Sequence, residues 1–145
     1  MLSHILGSND QICGYSELHY SYPNTLSLIK MHVEIYQDLG CTFSNRYIFD
    51  KLLHNSRVVS NKVIESTDAK LIFLLREPEG TLKSIINMGD LTGDNNYKSQ
   101  SLAFEYYRKR LMALQEYARS NECVFFVDSD ELVEQVKDAL DHFYD

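Results

Sequence analysis

The sequence has no apolar run near the 18 or so residues that a membrane span needs, and its first residues show no basic-then-apolar leader pattern. It has no CxxC pair. Its three cysteines, Cys13, Cys41 and Cys123, are odd in number and widely spaced, which suggests neither a zinc site nor a redox pair; they read as reduced thiols of a cytoplasmic protein. It has no surplus of positive charge either: 14 Lys and Arg stand against 21 Asp and Glu, a net charge of −7. That argues against broad nucleic-acid binding, which needs a basic face, but leaves room for one anionic ligand held by a few local cations. Repeats, low-complexity tracts and Pro/Gly-rich linkers are absent as well. A single domain over residues 1–145 is therefore expected, soluble by composition at 44% apolar and 24% charged residues.

What is present is an alternation of helical and strand patterns. Met1 to Leu6 reads as a helix tail closed by Gly7, and Ile12 to Tyr15 as a weak strand. From Asn24 to Leu39 the positions Leu26, Ile29, Val33 and Tyr36 recur at helical spacing, with Gly40 as the residue after the helix end. Arg46 to Phe49 is a short strand and Arg57 to Glu65 a short helix. Leu71 to Leu75 is apolar throughout, the mark of a strand covered on both faces. Pro78 can open a helix, continued over Thr81 to Asn87, and Gly89 to Gln100 reads as a polar loop. A long helix, Ser101 to Arg119, carries the stripe Ala103, Tyr107, Leu111, Leu114 and Ala118. Cys123 to Val127 reads as a second buried strand. Asp128 with Glu131 resembles a capping box before a last helix bearing Val133, Val136, Leu140 and Phe143. Strands alternating with helices predict an α/β fold with a mostly parallel sheet.

The stretch LIFLLREPEGTLKSI, Leu71 to Ile85, runs from the best strand straight into Arg76, with Ser84 eight residues further on. Ligands of open α/β sheets bind past the carboxyl ends of strands. A guanidinium there offers a planar fork of donors suited to a phosphate, and Ser84 can add a hydroxyl. The alternative is that Arg76 pairs with Glu77 or Glu79 and Ser84 has no role. His4, His32, His54 and His142 show no metal-ligand spacing and read as structural or exposed. Tyr106 and Tyr107 read as core rather than as a substrate platform, and the loop around Asp94 and Asn95 as a mobile segment or an acceptor lid.

The Arg76–Ser84 pair resembles the 3′-phosphate-binding element of sulfotransferases that use 3′-phosphoadenosine 5′-phosphosulfate. The segments DKLLHN (Asp50 to Asn55), DAKLIFLLREP, YYRKRL and VFFVDSDELVE follow in the order of that family's bacterial and tyrosyl-protein branches. The opening LSHILGSNDQICGYSELH is similar to the helix and segment after the family's phosphosulfate loop. The resemblance implies a three-layer, P-loop-like α/β fold that transfers a sulfonate from this co-substrate to a hydroxyl of a small molecule or protein, without a metal. It places Glu17, after Gly14-Tyr15-Ser16, where the tyrosyl-protein branch has its base, and its pKa is expected to be raised by partial burial among Tyr15, Tyr20 and Tyr22. His19 is the rival base. Lys51 resembles the lysine that stabilises the leaving oxygen, and Arg76 with Ser84 would hold the 3′-phosphate. The sequence departs from the family in having no GxxGxGK followed by Ser or Thr, and so the expected fold lacks its first central strand. Met88 and Ser129 also depart, standing where relatives carry a basic residue and a tyrosine. The alternative readings are a non-catalytic or truncated nucleotide-binding module of the same fold and, more distantly, a nucleotide kinase relative, although no Walker loop is visible.

Overall fold

The computed structural model describes residues 2–14, 17–40, 45–95 and 97–135. The chain divides into two compact units, Met1–Ala69 and Lys70–Asp145. Each unit is α/β, with short parallel strands.

In the first unit, α1 (Leu2–Gly7) leads into β1 (Ile12–Cys13), followed by α2 (Leu26–Leu39), β2 (Tyr47–Ile48) and α3 (Asn61–Thr67). β1 and β2 pair in parallel, Ile12 opposite Tyr47 and Cys13 opposite Ile48, and Tyr22 bridges Val59. Cys13, Tyr22, Met31, Ile35 and Val63 form the buried core. The apolar positions whose spacing marks α2 as a helix are not the ones it buries. Leu26, Ile29, Val33 and Tyr36 are all exposed, and Met31 and Ile35 are buried instead. The helix carries two apolar stripes, and the one containing Leu28, Met31 and Ile35 meets Cys13, Tyr22 and Val63. Its end is as expected, with Gly40 left-handed at φ 59° and its N–H on Tyr36 O. α3 begins at Asn61 rather than Arg57, because the Ser60 side chain accepts from Val63 N and fixes the start there.

In the second unit, β3 (Leu71–Leu75) leads to α4 (Pro78–Thr92), then α5 (Gln100–Ser120) and β4 (Val124–Asp128). Helical backbone follows over 129–135. β3 and β4 pair in parallel from Leu71↔Val124 to Leu75↔Asp128, and Phe73 meets Phe126 edge-on at 5.4 Å. Neither strand is covered on both faces, contrary to expectation: Phe73 is buried, but Ile72, Leu74, Phe125 and Phe126 are exposed. Burial in β3 thus alternates with the pleat, as on a sheet with one covered face. α4 runs past Asn87 to Thr92, which shortens the expected loop. Gly93 takes the left-handed cap (φ 73°), whereas Gly89 is helical and lies under Tyr97, where an added Cβ would sit 2.8 Å from the Tyr97 Cβ. Tyr97 in turn packs edge-on to Tyr106 at 4.9 Å. Ala103 anchors α5, fully buried. Asp128 Oδ1 accepts from the N–H groups of Asp130 and Glu131, the cap expected there. Val133 is exposed, while Val136, Leu140 and Phe143 lie outside the described residues, as do Tyr15 and Cys41. Cys13 and Cys123 are free thiols. Among the described residues no helix is long and apolar enough to cross a membrane.

Candidate functional site

The polar cluster of the first unit follows from the β1–β2 pairing. Phe49 N–H donates to Cys13 O at 2.8 Å. The next residue, Gly14, has φ 88° and lies so close to Phe49 that a Cβ there would be 2.4 Å from the Phe49 carbonyl oxygen. Only glycine combines that dihedral with that approach. The chain after β1 therefore runs beside the chain after β2, and Asp50 clasps the two. Its Oδ1 accepts from Leu18 N at 3.1 Å and from Lys51 N at 2.8 Å, and its Oδ2 accepts from the Tyr22 hydroxyl. Burial first, and the bond to Asp50 second, push the Tyr22 phenol well above the ordinary tyrosine range.

This clasp brings Glu17 and Lys51 together. Glu17 Oε2 lies 4.0 Å from Lys51 Nζ, and the Glu17 side chain is only 12% exposed. Its other oxygen, Oε1, faces His19 Nδ1 at 3.4 Å and His54 Nε2 at 3.9 Å, and is buried with no hydrogen-bond partner among the described residues. The two rings stack at 6.4 Å between centroids. Both candidate bases, Glu17 and His19, are thus in one cluster. The Glu17 side chain is mostly buried, and the hydroxyls of Tyr20 and Tyr22 bond other carboxylates. Tyr20 donates to Glu34 at 2.8 Å, a bond that raises its pKa, and Tyr22 donates to Asp50.

In the second unit, Arg76 and Ser84 line one open groove of about 550 Å3 along α4, with Gly80, Lys83, Asn87, Met88, Leu91 and Thr92. The carboxylates beside Arg76 are engaged elsewhere. Glu77 caps α4, its Oε1 accepting from Glu79 N at 2.6 Å and its Oε2 from Gly80 N at 2.7 Å. Glu79 pairs with Lys83 at 2.6 Å. The guanidinium lies over the first turn, with Nε and Nη2 each 3.5 Å from where a Gly80 Cβ would be. Such a groove can bind an anion through side chains: a forked donor, an ammonium and a hydroxyl. Met88 is part of its wall.

The four site residues expected from sequence thus fall into two pairs, one in each unit. Two groups escaped the sequence reading. Lys83 and Asn87 follow Arg76 at 7 and 11 residues, a helical spacing that could have revealed the shared face. His54 had no such signal, since it reaches Glu17 only through the β1–β2 pairing. No family model, curated protein or solved structure matches the chain.

Proposed function

We propose that the chain is a sulfotransferase-family domain, with its short parallel strands part of a three-layer, P-loop-like sheet. It moves the sulfonate of 3′-phosphoadenosine 5′-phosphosulfate to an acceptor hydroxyl of a small molecule or protein. The reading is carried by one observation: Arg76 and Ser84 line the same groove, while Glu77 and Glu79 are engaged elsewhere. Roles are assigned within each unit. In the first, Glu17 takes the acceptor proton as the new O–S bond forms, and Lys51 stabilises the charge on the oxygen whose bond to sulfur breaks. The leaving product is adenosine 3′,5′-bisphosphate. In the second, Arg76 and Ser84 hold the 3′-phosphate, with Lys83 as a further cation. The mechanism is direct in-line transfer in which no metal takes part.

Calorimetry with adenosine 3′,5′-bisphosphate tests the groove. A charge-assisted contact is worth about 1.5–3 kcal/mol, and exposure places Arg76 at the low end, so Arg76→Ala should weaken binding by about tenfold. Equal affinity in wild type and variant removes Arg76 from the site. A transfer assay with labelled co-substrate tests the base. Glu17→Gln should lose roughly 100-fold or more of turnover with nucleotide affinity intact. A second reading, a nucleotide-binding module without turnover, is favoured by the lack of a glycine-rich Lys-Ser/Thr loop in the 145 residues. Nucleotide binding without transfer to any hydroxyl acceptor would select it.

A further inference from the structure

Glu17 Oε1 is a buried carboxylate oxygen with no hydrogen donor among the described residues, a costly arrangement unless another positive partner takes it up. Two imidazole nitrogens face it, His19 Nδ1 at 3.4 Å and His54 Nε2 at 3.9 Å. Both separations exceed the 2.7–3.2 Å or so of an N–H···O bond. They approach the edge of a coordination tetrahedron instead, which is about 3.3 Å when metal–N and metal–O bonds are about 2.0–2.1 Å. Glu17, His19 and His54 can each offer one ligand atom, the three lying within 4.8 Å of one another. His19 is the most exposed of the three, its side chain 61% accessible against 36% for His54 and 12% for Glu17. Its ring therefore has room to swing and shorten the His19–His54 edge, while the 3.9 Å edge from His54 to Glu17 closes by a small movement of either of those side chains.

We propose that Glu17 Oε1, His19 Nδ1 and His54 Nε2 form a binding site for a divalent first-row transition ion, Zn2+ in the first instance. Two imidazoles and one carboxylate select a borderline ion over Mg2+ or Ca2+, which require oxygen ligands. Three protein ligands leave a coordination position open. Lys51 at 4.0 Å from Oε2 holds the carboxylate to one-oxygen ligation, and its charge opposes the ion. The site goes beyond the sulfonate-transfer reading and does not depend on it. An ion here occupies the oxygen assigned there as base, so it would act as an inhibitor and not as a participant.

The test uses the full, untagged chain without nucleotide, titrated with Zn2+ by calorimetry and with Co2+ by visible absorption. One equivalent should bind, with Co2+ d–d bands of a four- or five-coordinate centre. Glu17→Gln, His19→Asn and His54→Gln should each weaken Zn2+ by about tenfold or more, given that even outer-shell partners of metal ligands matter to that degree. Asn at position 19 suits the left-handed backbone there (φ 60°), so that variant keeps the test alive if Glu17→Gln fails to fold. Lys51→Met should tighten Zn2+, because it removes the charge that opposes the ion at the Glu17 carboxylate. No binding by wild type, unchanged affinity in His19→Asn, or a near-ultraviolet thiolate-to-Co2+ charge-transfer band would overturn the proposal. None of these results bears on nucleotide binding at Arg76, which is measured separately.

Discussion

Replacing Gly14 by Ala tests the reading that the close approach of two backbones builds the Glu17–Lys51 cluster. Gly14 has φ 88°, and a Cβ would stand 2.4 Å from Phe49 O and 3.1 Å from Ile35 Cδ1. Three costs combine. The left-handed backbone costs about 1–2 kcal/mol for a residue with a Cβ. Overpacking adds about 1–3 kcal/mol. Displacing Phe49 by roughly 1 Å, toward an ordinary C···O contact of about 3.3 Å, strains its N–H bond to Cys13 O, worth about 1 kcal/mol. The total, about 3–6 kcal/mol, is a large part of the about 3–10 kcal/mol expected for a stretch of the size of Met1–Ala69. Gly40→Ala supplies the control, because Gly40 shares the left-handed dihedral (φ 59°) but has nothing within 4 Å of the added carbon. Urea unfolding followed by tyrosine fluorescence suits a chain with 10 Tyr and no Trp. Gly14→Ala should lose at least about 2 kcal/mol more than Gly40→Ala. Equal losses in the two variants would refute the close approach, and with it the physical basis for the cluster.

Three further substitutions follow from the site geometry. Ser84→Ala removes a neutral hydroxyl worth about 0.5–1.5 kcal/mol, so adenosine 3′,5′-bisphosphate should bind about two- to tenfold more weakly, with the larger loss reserved for Arg76→Ala. Glu77→Gln keeps a carbonyl oxygen for the α4 cap and removes a negative charge next to Arg76; nucleotide affinity should rise at low salt while stability falls by about 1 kcal/mol or less, and a drop in affinity by calorimetry would count against the groove. Tyr22→Phe tests the Asp50 clasp through pH. The folded state raises the Tyr22 pKa, so its contribution is whole below the ordinary tyrosine value of about 10 and declines as pH climbs from there through the higher folded value. Wild type should lose stability above about pH 10 by up to about 1.4 kcal/mol per pH unit more steeply than Tyr22→Phe, as read by urea unfolding. Parallel pH profiles would contradict the assignment.

The parts of the fold that local chemistry decides were readable in the sequence. Pro78 opens α4, Gly40 closes α2, Asp128 caps the helical turns that follow it, and Leu71–Leu75 is a strand. The parts decided by what packs where were not. α2 is apolar on two stripes, so spacing alone could not tell that Met31 and Ile35 face the core while Leu26 and Val33 face solvent. Gly89 resembled a helix stop, but its role is to let Tyr97 cross α4. Likewise Arg76 and Ser84 shared a recognisable strand-to-helix spacing, whereas His54 joined Glu17 through a register that no local pattern encodes.

The cap on α4 decides what kind of recognition the second unit can offer. At a strand-to-helix turn the first free N–H groups and the helix dipole ordinarily make a backbone cradle for an anion. Here the Glu77 carboxylate already accepts from Glu79 N and Gly80 N, and a phosphate competing for those groups would meet its negative charge. An anion in the groove must then be gripped by side chains, by Arg76 and Ser84 first and by Lys83 only in part, since Glu79 shares its charge. Exposed cations of this kind are strongly screened. Nucleotide affinity should therefore fall steeply between low and physiological salt. The Glu17 cluster, with its carboxylate only 12% exposed, should respond to salt far less.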